Sequence, residues 1–104
     1  MDEERRRHKR VSVSLEAKLE GLHSNYPARV SDISIGGCYV ETLAQVSVGE
    51  HVRVEVRMPT GSWLSLRGEV LYFHHTVGFG MRFLQLSQLE MEILNNLVSY
   101  SSDE

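Results

Sequence analysis

From Val11 to Glu20 apolar and polar residues alternate without a break. Val11, Val13, Leu15, Ala17 and Leu19 fall on one side, and Ser12, Ser14, Glu16, Lys18 and Glu20 on the other. Such a run has a period of two, which gives a strand with one buried and one wet face and which no helix reproduces. The pattern returns twice. Val52, Val54, Val56 and Met58 alternate with Arg53, Glu55 and Arg57; Val77, Phe79, Met81 and Phe83 alternate with Gly78, Gly80 and Arg82. Shorter strands are expected around Ala28 to Ser31 and Cys38 to Glu41, and a longer one from Leu64 to Phe73. Turn chemistry separates them at Gly21 to Asn25, at Asp32 to Gly37 and at Pro59-Thr60-Gly61. The last element changes period. Ser87 and Glu90 make a capping box, and Leu86, Leu89, Ile93, Leu94, Leu97 and Val98 fall at helical spacing, so a helix is expected over 86–100. Six short strands closed by one helix read as a small barrel or sandwich.

At 104 residues the chain is one domain, and its 41% hydrophobic content is enough for a core. It has no apolar run long enough to span a bilayer, and no apolar stretch follows the charged N-terminus as a secretory signal would require. Cys38 is the single cysteine, which excludes an internal disulfide and a multi-cysteine zinc site. These features fit a cytoplasmic protein with no membrane insertion. The net charge of −3 conceals an asymmetry: Arg5, Arg6, Arg7, Lys9 and Arg10 lie within six positions, and the chain from Val11 onward carries six basic and eleven acidic residues. The expected organisation is a flexible basic arm over 1–10, a barrel with its helix over 11–100, and a polar tail over 101–104. An acidic body with one basic arm suits a compact anionic partner and argues against a long nucleic acid laid across the surface.

Two segments are poorly explained as structure alone: the arm, which contains Arg6-x-x-x-Arg10, and the loop Asp32-x-Ser34-x-x-Gly37. Together, in that order and flanking the alternating strand, they resemble the paired signature of the PilZ family. The ending Gly78-Phe79-Gly80-Met81-Arg82-Phe83, followed by a capped helix, is similar to that family's last strand and helix, so the resemblance runs along nearly the whole chain. Lys9 departs from it, standing where the family often has proline. The resemblance implies a six-stranded antiparallel β-barrel with a C-terminal helix. It also implies a receptor that binds cyclic di-GMP, signals to a downstream protein partner, uses no cofactor and is not an enzyme. Arg6, Arg10, Asp32, Ser34 and Gly37 are its implied ligand contacts.

The residue types suit that ligand. A guanidinium fork meets the O6 and N7 acceptors of guanine with two parallel bonds, and the same flat cation stacks on a base or pairs with phosphate. A carboxylate at Asp32 accepts from the N1–H and N2–H donors of guanine, Ser34 offers a short hydroxyl, and Gly37 lets backbone approach without a Cβ. The resemblance implies either one cyclic di-GMP or a stacked pair per domain. Arg5, a further guanidinium beside Arg6, favours two. Two other functions compete: a PilZ-like domain that makes only protein contacts, and a small barrel that binds single-stranded nucleic acid. His8, His23, His51, His74 and His75 are scattered without metal spacing and read as surface residues. Cys38 reads as a small buried side chain, Gly36 as a loop-shaping position, and Trp63 and Tyr72 as barrel or rim packing.

Overall fold

The computed structural model describes residues 9–20 and 26–101. Six antiparallel strands, β1 (Val11–Leu19), β2 (Tyr26–Ile33), β3 (Gly37–Thr42), β4 (His51–Arg57), β5 (Trp63–His74) and β6 (Gly78–Phe83), precede one helix, α1 (Gln88–Ser101). The strands close into a barrel in the order β1-β2-β3-β6-β5-β4, with β1 and β4 making the seam. Closure removes the unpaired edges that open sheets leave exposed. The alternating positions dictate what lies inside: Ala17, Leu19, Val30, Val40, Val54, Val56, Leu66, Val70 and Phe79 are buried in one core cluster, and β-branched residues at the inner positions suit the pleated surface.

Capping of α1 follows the box read from the sequence. The Glu90 N–H donates to Ser87 Oγ at 3.1 Å, and the Ser87 N–H donates to Glu90 Oε1 at 2.9 Å. The helix packs on the barrel through Leu94, Leu97 and Val98, with Leu86 and Ile93 partly buried beside them.

Several boundaries differ from the sequence reading. β2 is longer than Ala28 to Ser31 and takes in Asp32 and Ile33, so only residues 34–36 connect it to β3. Val77 belongs to the turn before β6 and is exposed, because the chain reverses through Thr76 at φ 63° and the Val77 N–H donates to the His74 carbonyl. Leu89, expected on the apolar face of the helix, is 64% exposed. At 100° per residue it lies roughly 130° round the helix from the centre of the face that Leu94, Leu97 and Val98 define.

Bulges break the alternation where the barrel carries its most unusual surface. In β5 the register steps from Val70↔Met81 to Tyr72↔Gly80, which inserts Leu71 and turns both Leu71 and Tyr72 outward. A second shift in β2, between Val30 and Asp32, sits beside the Ser34 turn.

Candidate functional site

Asp32 is the first functional candidate that the fold positions. It pairs with Ser12 of β1 and Tyr39 of β3, and its carboxylate Oδ1 accepts from Arg10 Nη2 at 2.9 Å. Arg10 stands just before β1, so the antiparallel pairing of β1 with β2 brings together residues 22 apart in sequence. Both side chains are partly exposed, at 51% and 38%, and an ion pair of that kind contributes little to stability.

Ser34 is buried. Its Oγ accepts from the Gly36 N–H at 3.0 Å and the Gly37 N–H at 3.2 Å, while its own N–H donates to the Gly37 carbonyl at 2.9 Å. The hydroxyl folds the turn between β2 and β3, and Ser34, which the sequence reading gives a ligand contact, is among the residues that line the cleft described below. Gly37 also has a structural reason to lack a side chain. It lies opposite Arg82 across the β3–β6 pairing, and a Cβ there would overlap the Met81 carbonyl oxygen and crowd the Arg82 Cα at 3.2 Å. The Phe83 N–H donates to the Gly36 carbonyl at 2.9 Å and ties the turn to the end of β6.

These pieces open onto a surface cleft of about 920 Å³. Arg10 just before β1 and the stretch from Ser34 to Gly37 line one side; Gly80 and Arg82 of β6, Leu71 and Tyr72 of the β5 bulge, Leu86, and Met91 of α1 are among the residues that line the rest. Arg82 is a cleft residue that alternation alone presents as one more outward strand position. Its Nε donates to Glu69 Oε1 of β5 at 2.9 Å. From sequence alone Tyr72 reads as barrel or rim packing. In the fold its ring covers Gly80, where any side chain would collide with it, and it stacks with Tyr39 at 6.1 Å between centroids. His74 completes this cluster, 5.3 Å from the Tyr72 ring and with Nδ1 3.0 Å from the Tyr39 hydroxyl. Burial, reinforced by Tyr72, Glu41 and Asp32, pushes the Tyr39 hydroxyl above its usual range.

Cys38 is fully buried, and burial, with Asp32 acting the same way, pushes its thiol up to about 12. A thiol so protonated is a poor nucleophile. Away from the cleft, a hydrogen bond with Glu55 raises the Glu20 carboxyl, a carboxylate pair that separation in sequence concealed. Trp63 also lies outside the cleft, under the Lys18 ammonium at 4.7 Å. Arg5 and Arg6, like His8 and His23, fall outside the described residues. Among the described residues no three metal-ligating side chains cluster, and no helix is long and apolar enough to cross a membrane.

The sequence pattern of the PilZ domain matches residues 4–100. The chain belongs to the PilZ domain family. Solved PilZ structures carry the same fold. The PilZ domain of YcgR from Escherichia coli, solved with cyclic di-GMP, superposes with a TM-score of 0.78 at 17% identity over 95% of this chain and 92% of that one. YcgR from the same organism in complex with cyclic di-GMP gives 0.77 at 20% identity, over 92% of this chain and 45% of YcgR. The inhibitor of motility MotI of Bacillus subtilis gives 0.74 at 17% identity, over 93% of this chain and 49% of MotI. This PilZ domain thus spans about half the length of the last two proteins. A comparison with curated proteins finds no match.

Proposed function

We propose that this PilZ domain is a cytoplasmic receptor for cyclic di-GMP that catalyses nothing and passes its bound state to a partner protein. The observation that carries the reading is the cleft itself. Arg10 and Asp32 meet at its edge, the Ser34–Gly37 turn forms one of its borders, and a second guanidinium and an aromatic ring face the same space. Two guanidiniums and a flat ring in one depression, with the Asp32 carboxylate paired to Arg10 beside it, suit a ligand with two phosphates and two guanines. YcgR, which shares the fold, has been solved with that ligand.

In this reading Arg6 and Arg10 bind phosphate and base edges, and Asp32 accepts from the guanine N1–H and N2–H. Ser34 acts through the turn by holding the Gly36 and Gly37 amides in place. Arg5 caps an exposed base and allows two ligands to stack in one domain.

Calorimetric titration with cyclic di-GMP, cyclic di-AMP and a single-stranded RNA tests the proposal. Cyclic di-GMP is expected to bind, saturating near two equivalents, at least about tenfold tighter than cyclic di-AMP, since a base-edge mismatch that unpairs a buried group costs on the order of 1–3 kcal/mol. Asp32→Ala is expected to weaken cyclic di-GMP and narrow its lead over cyclic di-AMP. RNA binding without cyclic di-GMP binding would replace this function with nucleic-acid recognition. Equal losses for both dinucleotides in Asp32→Ala would refute its role as the reader of guanine.

A further inference from the structure

We propose that Arg82 binds the ligand from the β6 side of the Ser34–Gly37 turn and that Glu69 is the residue that positions it. The inference rests on the cyclic di-GMP reading and extends its site beyond the two signature segments. Strand order supplies the first argument. Running along the sheet, Arg10 precedes β1, Asp32 is on β2, Gly37 opens β3, Arg82 is on β6 and Glu69 on β5. An arginine–carboxylate pair therefore flanks the turn on each side: Arg10 with Asp32 at 2.9 Å, and Arg82 with Glu69 at 2.9 Å. A dinucleotide with two equivalent purine–phosphate halves presents the same chemistry twice, and the second pair meets the half that the first leaves unread.

The geometry of the second pair supplies the next argument. Arg82 Nε and Nη2 both approach the single oxygen Glu69 Oε1, so one edge of the guanidinium is fixed. The Nη1 end and both flat faces stay available for a phosphate oxygen, a guanine edge or a base face. A ligand does not have to displace Glu69 to use them. Arg82 remains about half exposed while lining the cleft, so those groups are open to a ligand. Fixing a long side chain before the ligand arrives also lowers the ordering cost of binding.

The test is a calorimetric series with cyclic di-GMP on the whole protein: Arg82→Ala, Arg82→Lys, Glu69→Ala, Glu69→Gln and the double variant Glu69→Ala with Arg82→Ala. Arg82→Ala is expected to weaken binding about tenfold, and Arg82→Lys to recover little of it, because a point charge cannot reproduce the fork. Glu69→Ala should weaken binding about threefold, with Glu69→Gln near the unsubstituted protein, because the amide oxygen still accepts from Nε. In the Arg82→Ala background, Glu69→Ala should change nothing further. Unimpaired binding by Arg82→Ala, with the unsubstituted protein binding normally, would overturn the Arg82 assignment alone. Tighter binding by both Glu69 variants would make Glu69 a competitor and overturn its positioning role. Failure of the unsubstituted protein to bind would overturn the cyclic di-GMP reading together with this extension of it.

Discussion

Gly37→Ala is expected to lower the thermal midpoint by about 10–20 °C and to remove ligand binding only as a consequence of that loss. The added methyl would overlap the Met81 carbonyl oxygen and press on the Arg82 Cα, both backbone atoms of a strand paired on two sides. Neither can swing aside as a flexible side chain could. Overpacking of this kind costs about 1–3 kcal/mol, and a rigid backbone neighbour places it at the upper end. In a domain of this size each kcal/mol moves the midpoint by about 4–8 °C. Differential scanning calorimetry of the two proteins measures it. A midpoint within about 2 °C of the unsubstituted protein would show that β3 and β6 can separate freely, and would return Gly37 to a purely ligand-facing role.

Arg10→Ala is expected to do the opposite: to cut affinity for cyclic di-GMP by about ten- to a hundredfold while moving the melt by no more than a few degrees. A charge-assisted hydrogen bond contributes about 1.5–3 kcal/mol, whereas a partly exposed ion pair such as Arg10–Asp32 contributes about 0–1 kcal/mol to stability. Its guanidinium lies outside the core and loses contacts, not packing. Arg6→Ala is expected to act in the same way. Calorimetric titration paired with a melt separates the two effects, and binding at full strength by both variants would remove the arm from the site.

These two expectations divide the signature by physical role, and the division marks where the sequence was legible. Alternation from Val11 to Leu19 identified a strand and its buried side because periodicity is a local property. Ser87 and Glu90 announced the start of the helix for the same reason: both halves of the capping box lie within one turn. The closeness of Arg10 and Asp32 was also legible, through the family resemblance and the strand between them. Arg82 was not. Its place in the cleft comes from lying opposite Gly37 across the β3–β6 pairing and against Glu69 of β5, and no local pattern specifies which strands pair or in what register. Tyr72 was hidden by the β5 bulge, which breaks the period of two and turns consecutive residues to the same side. Ser34 shows a second role that residue type does not announce: its hydroxyl accepts from two amides three residues away or less and so shapes the turn. Leu89 is exposed because it lies far round the helix from the face that Leu94, Leu97 and Val98 bury, so its apolar character alone does not place it on the barrel.

The most direct test of the account is a heteronuclear NMR titration of the isotope-labelled protein with cyclic di-GMP. The account predicts saturable shifts at the backbone amides of Gly36, Gly37, Tyr72 and Arg82, with the Trp63 indole and the Val54 amide on other parts of the barrel nearly unmoved. Shifts centred on Trp63, or none at all with the ligand in large excess over the protein, would contradict it.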